Sequence, residues 1–304
     1  MDRFGQVSGD FSLERHGASG AFGTVATSSP FFGGVQIPQS ETDFSAYIAL
    51  LEGDGVSLTS EQKTAIEAFY TTGKADGWYL KLKRFYLPIW GAAAPNARCL
   101  VSGTSGTFQG EFAYATGYAH PTAASSANRF NTGFKLLDEL TIEDACLMAL
   151  AYDDVPPRDR AINASNKTII GSGSFTSNSV RINTTNSALK PQAVFPGVYE
   201  STLPTFGSHG VLLSTRRDGG TTLSRRTSSA FDDDTTTGAL TGTFNNNFPI
   251  VGFGSASSST GAGGQATNSK AGAFGISASL DATDRAAYTL AVKNLWETCS
   301  GLTL

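Results

Sequence analysis

Between residues 97 and 280, short apolar runs alternate with clusters of turn-forming residues at close intervals. Gly, Pro, Asn and Asp supply these interruptions, and each favours a tight turn. Short strands separated in this way are typical of all-β folds, and we predict a β-sandwich. The candidate strands are residues 97–102, 106–115, 129–136, 144–152, 167–171, 179–185, 193–202, 210–217, 221–227, 247–253 and 271–279.

One of these strands is predicted to lie at the centre of a sheet. In residues 147–152 (LMALAY), apolar side chains fill both the odd and the even positions. Because successive side chains of a strand point to opposite faces, both faces of this strand have to be covered by other elements.

The stretch before the strands carries a helical signal. Thr59 and Gln62 have the spacing of a capping box, in which each side chain bonds the other residue's backbone N–H at the start of a helix. We predict that this helix breaks at Gly73 and Gly77, because glycine is a poor helix former. A second helix is predicted over residues 78–87, and a further one closes the chain after Asp281.

The first forty residues show no helical or strand periodicity. Aromatic side chains recur there among Gly and other small residues, and such a segment cannot form a core of its own. A solvated tail rarely carries so many rings, so we favour an extended arm that docks on a neighbouring protein over a disordered tail. The rings belong to Phe4, Phe11, Phe22, Phe31 and Phe32.

Charge and cysteine content exclude some classes of protein. A net charge of −4 and a sequence pI near 5.4 disfavour a nucleic-acid binder, which needs a basic face to neutralise phosphates. The three cysteines, Cys99, Cys146 and Cys299, match no zinc motif, and an odd number cannot all be paired. We predict buried free thiols, which suits a reducing cytoplasm. We expect neither a signal peptide nor a membrane span.

Several segments resemble, in the same order, a group of phage tail and virion proteins. Residues 58–66, 74–78 and 81–89 are similar to the helical lead of that group, which precedes a concanavalin-like (laminin-G-like) jelly roll. The resemblance covers about residues 57–300. Its later segments are residues 117–120 (GYAH), 131–134 (NTGF), 147–152 (LMALAY), 210–216 (GVLLSTR), 250–254 (IVGFG) and 273–280 (AFGISASL).

The resemblance implies the organisation and the setting of the chain. We expect an extended N-terminal arm at residues 1–40, a helical lead at 41–96, and a concanavalin-like jelly-roll β-sandwich with a C-terminal helix at 97–304. The implied protein is a structural component of a bacteriophage virion. It is made in the host cytoplasm, displayed on a tail, fibre or capsid surface, and homo-oligomeric. The arm would contact other virion proteins.

The resemblance leaves three functions open, and we favour the first. The jelly roll is a lectin-like adhesin for host glycan, or a capsid decoration or minor structural protein that contacts only virion proteins, or a glycan hydrolase. Aromatic rings stack on sugar faces while polar neighbours bond the hydroxyls. The candidate glycan-binding residues are Tyr118, His120, Asn131, Trp90 and Tyr199.

Other polar clusters are candidates by residue type only. Lectins and laminin-G modules often hold calcium through Asp and Asn. The run Asp232, Asp233 and Asp234, predicted to begin a loop, is a weak calcium site, as are Asp153 and Asp154. We predict no other cofactor. A hydrolase needs two facing carboxylates, and the candidates are Glu111, Glu143 and Asp144. For His120 and His209 we favour a structural role, and we predict no enzyme activity.

Overall fold

The computed structural model divides into two units, Met1–Pro38 and Gln39–Leu304, and the part described here belongs to the second. The N-terminal arm and its five phenylalanines therefore lie outside the described residues. The described residues are 44–152, 167–173, 179–185, 191–196, 198–200, 209–242, 244, 247–256 and 266–304.

The described elements are mostly strands, with helices at both ends of the unit. The helices are α1 (Phe44–Gly53), α2 (Ser60–Asp76), α3 (Ala93–Asn96), α4 (Leu136–Glu139) and α5 (Ala282–Ser300), with a 3₁₀ turn at Tyr79–Lys81. The strands are β1 (Leu82–Tyr86), β2 (Thr107–Gln109), β3 (Phe112–Ala115), β4 (Tyr118–Pro121), β5 (Arg129–Asn131), β6 (Ala145–Ala151), β7 (Lys167–Ser172), β8 (Val180–Thr185), β9 (Gln192–Phe195), β10 (Val198–Glu200), β11 (Gly210–Arg217), β12 (Gly220–Arg226), β13 (Phe231–Thr237), β14 (Val251–Gly252) and β15 (Ala271–Ser277).

The strands form two antiparallel sheets, which confirms the predicted mainly β sandwich. One sheet has the order β13-β12-β11-β6-β15-β4-β3, with β1 also paired to β15, and the other has the order β10-β9-β8-β7-β14-β5-β2. A buried apolar cluster fills the space between the sheets. Its members include Leu147, Leu212 and Phe274 from the first sheet and Phe130, Ile170, Ile182 and Phe195 from the second.

A second buried cluster lies between the first sheet and the helices. It joins Met148 and Leu150 of β6 to Ile66 and Phe69 of α2 and to Trp296 of α5. Helices α1, α2 and α5 therefore form a third layer on the outer face of the first sheet, and this layer covers apolar side chains that would otherwise face water.

Strand β6 confirms the prediction of a central strand with two apolar faces. It is hydrogen-bonded to β11 on one side and to β15 on the other, and all seven of its residues are buried. Its even-numbered side chains, such as Met148, belong to the cluster under the helices, whereas Leu147 belongs to the cluster between the sheets.

The capping box at the start of α2 is also confirmed. The Gln62 backbone N–H donates to Thr59 Oγ1 at 3.2 Å, and the Thr59 N–H donates to Gln62 Oε1 at 2.9 Å. The predicted break at Gly73 is wrong, because α2 runs on to Asp76. Gly73 is required for packing: a Cβ there would lie 2.5 Å from the ring of Trp78, which is fully buried.

The predicted helix over residues 78–87 is wrong as well. Gly77 ends α2 with φ at 85°, one 3₁₀ turn follows, and the chain then becomes strand β1. Strand β1 pairs antiparallel with β15, so that Phe85 lies opposite Gly275. Leu82 and Phe85 still face one buried cluster, because the register of β1 shifts between Leu82 and Arg84, and pairing with the distant β15 makes this segment a strand.

Several strand boundaries differ from the sequence prediction. Residues 97–102 contribute only isolated bridges, such as Tyr86 to Cys99. Strand β4 was missed because it is short, and β13 was missed because Asp is rare in strands. Asp232, Asp233 and Asp234 therefore lie on an edge strand and do not begin a loop. All three cysteines are buried and free, as predicted.

Candidate functional site

Four neighbouring strands of the first sheet place polar and aromatic residues at the same end of the sheet, where these strands begin or finish. Ala151 pairs with Gly210 on one side and with Ala271 on the other, and Ala271 pairs with Ala119. These residues form a row of small side chains across β11, β6, β15 and β4. Five polar or aromatic residues lie one position away from that row, and we call them the Lys270 cluster: His209, Tyr152, Lys270, Tyr118 and His120.

The Lys270 cluster is held together by contacts between its rings and a single cation. Lys270 Nζ lies 4.6 Å from the ring centroid of Tyr118 and 5.8 Å from that of Tyr152. The two tyrosine rings are stacked, with centroids 5.9 Å apart. His120 lies 6.0 Å from Tyr118, and His209 lies 5.4 Å from Tyr152, so the imidazoles flank the tyrosine pair.

Helix α5 supports the cluster from below. The ring of Trp296 lies 5.0 Å from that of Tyr152, and Trp296 Nε1 donates to the Gly117 carbonyl oxygen at 2.7 Å. Trp296 is fully buried, whereas Tyr118, Tyr152 and both imidazoles keep part of their surface exposed. The buried indole therefore fixes the backbone just before Tyr118 and the ring of Tyr152.

The sequence-predicted glycan residues are only partly brought together. Tyr118 and His120 are neighbours in the Lys270 cluster. Nδ1 of His120 lies 2.9 Å from the Pro121 carbonyl oxygen and is placed to donate to it, which is the kind of structural bond that the sequence analysis favoured for this residue.

The other three predicted residues lie elsewhere. Trp90 packs against the buried cluster under the helices, and its backbone N–H donates to Asn96 Oδ1 at 2.6 Å. Asn131 lies in the second sheet, on β5, where its Oδ1 accepts a bond from the Gly133 N–H at 2.9 Å and shapes the turn that follows. Tyr199 lies on strand β10, an edge of that sheet, and its side chain is outside the described residues.

The three aspartates of β13 are divided between the two faces of the strand. Asp233 accepts a bond from Arg285 of α5 at 2.7 Å, and Asp232 lies 3.5 Å from Arg225 on the neighbouring strand. Where the structure describes the chain, no three His, Cys, Asp or Glu side chains are grouped so that they could hold a metal ion. The candidates Asp153 and Asp154 lie outside that part.

The carboxylates considered for hydrolysis are engaged in other contacts. Glu143 receives two bonds from the fully buried Arg216, at 2.7 and 3.4 Å. Asp144 accepts from the Ser279 backbone N–H at 2.9 Å, and Glu111 accepts from Thr122 Oγ1 at 3.3 Å. Each of these bonds orients a loop or a strand end.

Sequence reasoning missed Tyr152 and Lys270 as site residues and treated His209 as structural. Tyr152 is the last residue of the predicted strand 144–152, and Lys270 and His209 directly precede the predicted strands 271–279 and 210–217. A polar or aromatic residue at a strand end indicates a candidate site residue. Sequence alone could not show that these three residues are neighbours, because the order of the strands in the sheet is set by pairing between distant segments.

The Lys270 cluster combines the groups that a carbohydrate site uses. Tyrosine and histidine rings offer apolar faces to the C–H surface of a sugar, while hydroxyl and imidazole groups exchange hydrogen bonds with its hydroxyls. The buried ammonium of Lys270, whose residue exposes 6% of its surface, adds a positive charge beside the rings.

Comparisons with known proteins add no family to this description. The sequence matches no family model, and no curated protein is significantly similar to it. Among the helices of the described part, none is both long and apolar enough to cross a membrane.

Proposed function

We propose that the chain is a structural protein of a bacteriophage virion, and that its concanavalin-like jelly roll binds host glycan at the particle surface. The observation that carries the binding part is the Lys270 cluster, where Tyr118 stacks with Tyr152 beside a cation. The setting in a virion rests on the resemblance of the ordered segments between residues 57 and 300.

The proposed role is that of an adhesin on a tail or fibre. The cluster lies at one end of four strands, in a sheet whose faces pack against the helices and against the second sheet. The two buried apolar clusters between the layers give the rings a rigid base, so binding a sugar would order few groups and cost little conformational entropy. No catalytic step is proposed, because Glu143 and Asp144 are committed to Arg216 and to the Ser279 backbone.

Capsid decoration is the second candidate, and one observation favours it. A groove between α2 and α5 is lined mainly by apolar side chains, and Leu290 at this groove is 44% exposed. An exposed apolar surface of this kind is typical of a contact with another protein. In this role the chain would contact only other virion proteins.

The two roles differ in where the protein sits and in what it binds. Purified particles would be labelled with gold-conjugated antibody against residues 97–304, and the full chain would be applied to a glycan array. Label at tail or fibre tips with selective glycan binding supports the adhesin. Label over the head shell without glycan binding supports decoration. Intact particles that contain the protein but remain unlabelled would contradict both roles.

A further inference from the structure

The groove between α2 and α5 lies on the outer surface of the helical layer. It has a volume of about 320 Å³, which is near the lower end of pockets that hold a ligand group. The two helices are joined by the bond from Gln62 Nε2 to the Cys299 carbonyl oxygen, at 2.8 Å. The apolar lining residues are Ala65, Ala68, Phe69, Ala287, Leu290, Ala291 and Leu295.

Small side chains give the groove its depth. Alanines on both helices keep the facing surfaces low, while Leu290 and Phe69 form apolar walls. Among the described residues that line the groove, Asp76 alone is charged, and Thr72, Asn294 and Thr298 are polar. An uncharged segment with large apolar side chains is the chemistry that such a groove accommodates.

We propose that this groove receives the N-terminal arm of a second copy of the chain. Residues 17–40 contain no Asp, Glu, Lys, Arg or His, and they include Phe22, Phe31 and Phe32. The uncharged arm and the apolar groove are therefore complementary. This inference rests on the assembly part of the proposed function, which is the arm, and is independent of glycan binding.

The length of the segment before α1 is sufficient for this contact. Forty-three residues precede Phe44, the first residue of α1, and an extended chain covers roughly 3.3 Å per residue, or about 140 Å in all. Helix α2, with 17 residues, is only about 25 Å long. The arm can therefore span the distance to a neighbouring subunit.

The position of α1 favours a neighbour's groove. Phe44 contacts Tyr70 of α2, with ring centroids 5.7 Å apart. Tyr70 is five residues after Ala65 and therefore roughly 140° around the helix from it. The segment that follows the arm is thus attached to the flank of α2 that faces away from the groove. The arm and the groove are different surfaces of the chain, so their contact is head-to-tail, which builds rings or filaments.

Two variants of the full chain separate the two sides of the contact. Leu290→Glu introduces a charge into the groove at an exposed position and keeps a good helix former in α5. Phe31→Ser with Phe32→Ser removes two rings from the arm. Leu80→Glu is the matched control, because Leu80 is 62% exposed and does not line the groove.

Sedimentation velocity gives the readout. We expect the wild type and Leu80→Glu to associate, and each of the other two variants to associate at least roughly tenfold more weakly. An equimolar mixture of these two variants is expected to form a heterodimer, because one supplies an intact arm and the other an intact groove. A monomeric wild type, an unaffected variant, or a mixture that stays monomeric would overturn the proposal. Glycan binding by these variants would leave the adhesin role standing in each case.

Discussion

The ammonium group of Lys270 lies over the ring of Tyr118, 4.6 Å from its centroid. Lys270 directly precedes β15, and Tyr118 begins β4, so this contact joins two neighbouring strands of the first sheet. A cation on a ring face is attracted by the negative charge density of the π system. The pair therefore holds a positive charge beside an aromatic surface, which is the central feature of the proposed glycan site.

Replacing this cation tests its share in binding. Lys270→Met keeps a flexible apolar side chain and removes the charge, and we expect glycan affinity to fall by about three- to tenfold. Thermal stability is measured beside affinity, so that a loss of binding is attributed to the charge only where the variant stays folded. Titration calorimetry and thermal melting measure both quantities. Lys270→Arg should retain affinity, and equal loss in both variants would argue against the charge.

Part of this site was within reach of the sequence. Tyr118 and His120 were predicted as rings beside polar loop residues, whereas strand β4, which puts both on one face of the sheet, was not predicted. Tyr152 and Lys270 join them only because β6 and β15 pair in a particular register. Register depends on packing across the whole sheet, and local sequence does not contain it.

The fold shows the same division between local and distant causes. The capping box at Thr59 and the apolar run of β6 are local patterns, and both were predicted correctly. Gly73 was misjudged because its value lies in the space it leaves for Trp78, a tertiary contact. The aspartates of β13 were placed in a loop because the arginines that pair with them, Arg225 and Arg285, come from other elements.

Gly73 provides a test of packing under the helical layer. Gly73→Ala would place a methyl group 2.5 Å from the rigid ring of Trp78, and we expect it to lower the free energy of unfolding by about 1–3 kcal/mol. Gly53→Ala is the matched control in α1, because a Cβ there meets nothing within 4 Å. It should raise stability by up to about 1 kcal/mol. Urea denaturation distinguishes them, and equal effects would contradict the described packing.

Glu143 is expected to act on stability and not on hydrolysis. Glu143→Gln weakens the two bonds that Arg216 donates, and the buried guanidinium loses its charged partner. Because Glu143 is half exposed, we expect a modest cost of about 1–2 kcal/mol. Glu52→Gln, in an exposed pair with Lys63, should cost less than about 0.5 kcal/mol. Glycan hydrolysis by the wild type that disappears in Glu143→Gln would restore the hydrolase hypothesis.

The pair of Asp54 and Arg98 predicts a pH-dependent contribution to stability. Arg98 donates two bonds to Asp54, at 2.7 and 2.8 Å, and these bonds lower the pKa of the Asp54 carboxyl. A lowered carboxyl pKa stabilises the folded state above the unfolded pKa of about 3.9, and this stabilisation is lost as the pH falls through the folded pKa.

The Asp54→Asn variant isolates this contribution. At pH 7 we expect it to be less stable than the wild type by about 1–2 kcal/mol, and the difference should shrink as the pH falls below 4 or so. Chemical denaturation over a pH series measures the difference directly. A difference that stays constant down to strongly acid pH would show that the carboxylate charge does not contribute.

The proposed adhesin role requires that the Lys270 cluster binds carbohydrate. The direct measurement is the affinity of the full chain for the strongest ligand from the glycan array, compared between wild type, Tyr118→Ala and Asn131→Ala. We predict that Tyr118→Ala lowers the affinity by roughly tenfold or more, because the stacking ring is lost, and that Asn131→Ala leaves it unchanged, because Asn131 shapes a turn in the other sheet. No glycan binding by the wild type, or an unchanged affinity in Tyr118→Ala, would contradict the proposed site.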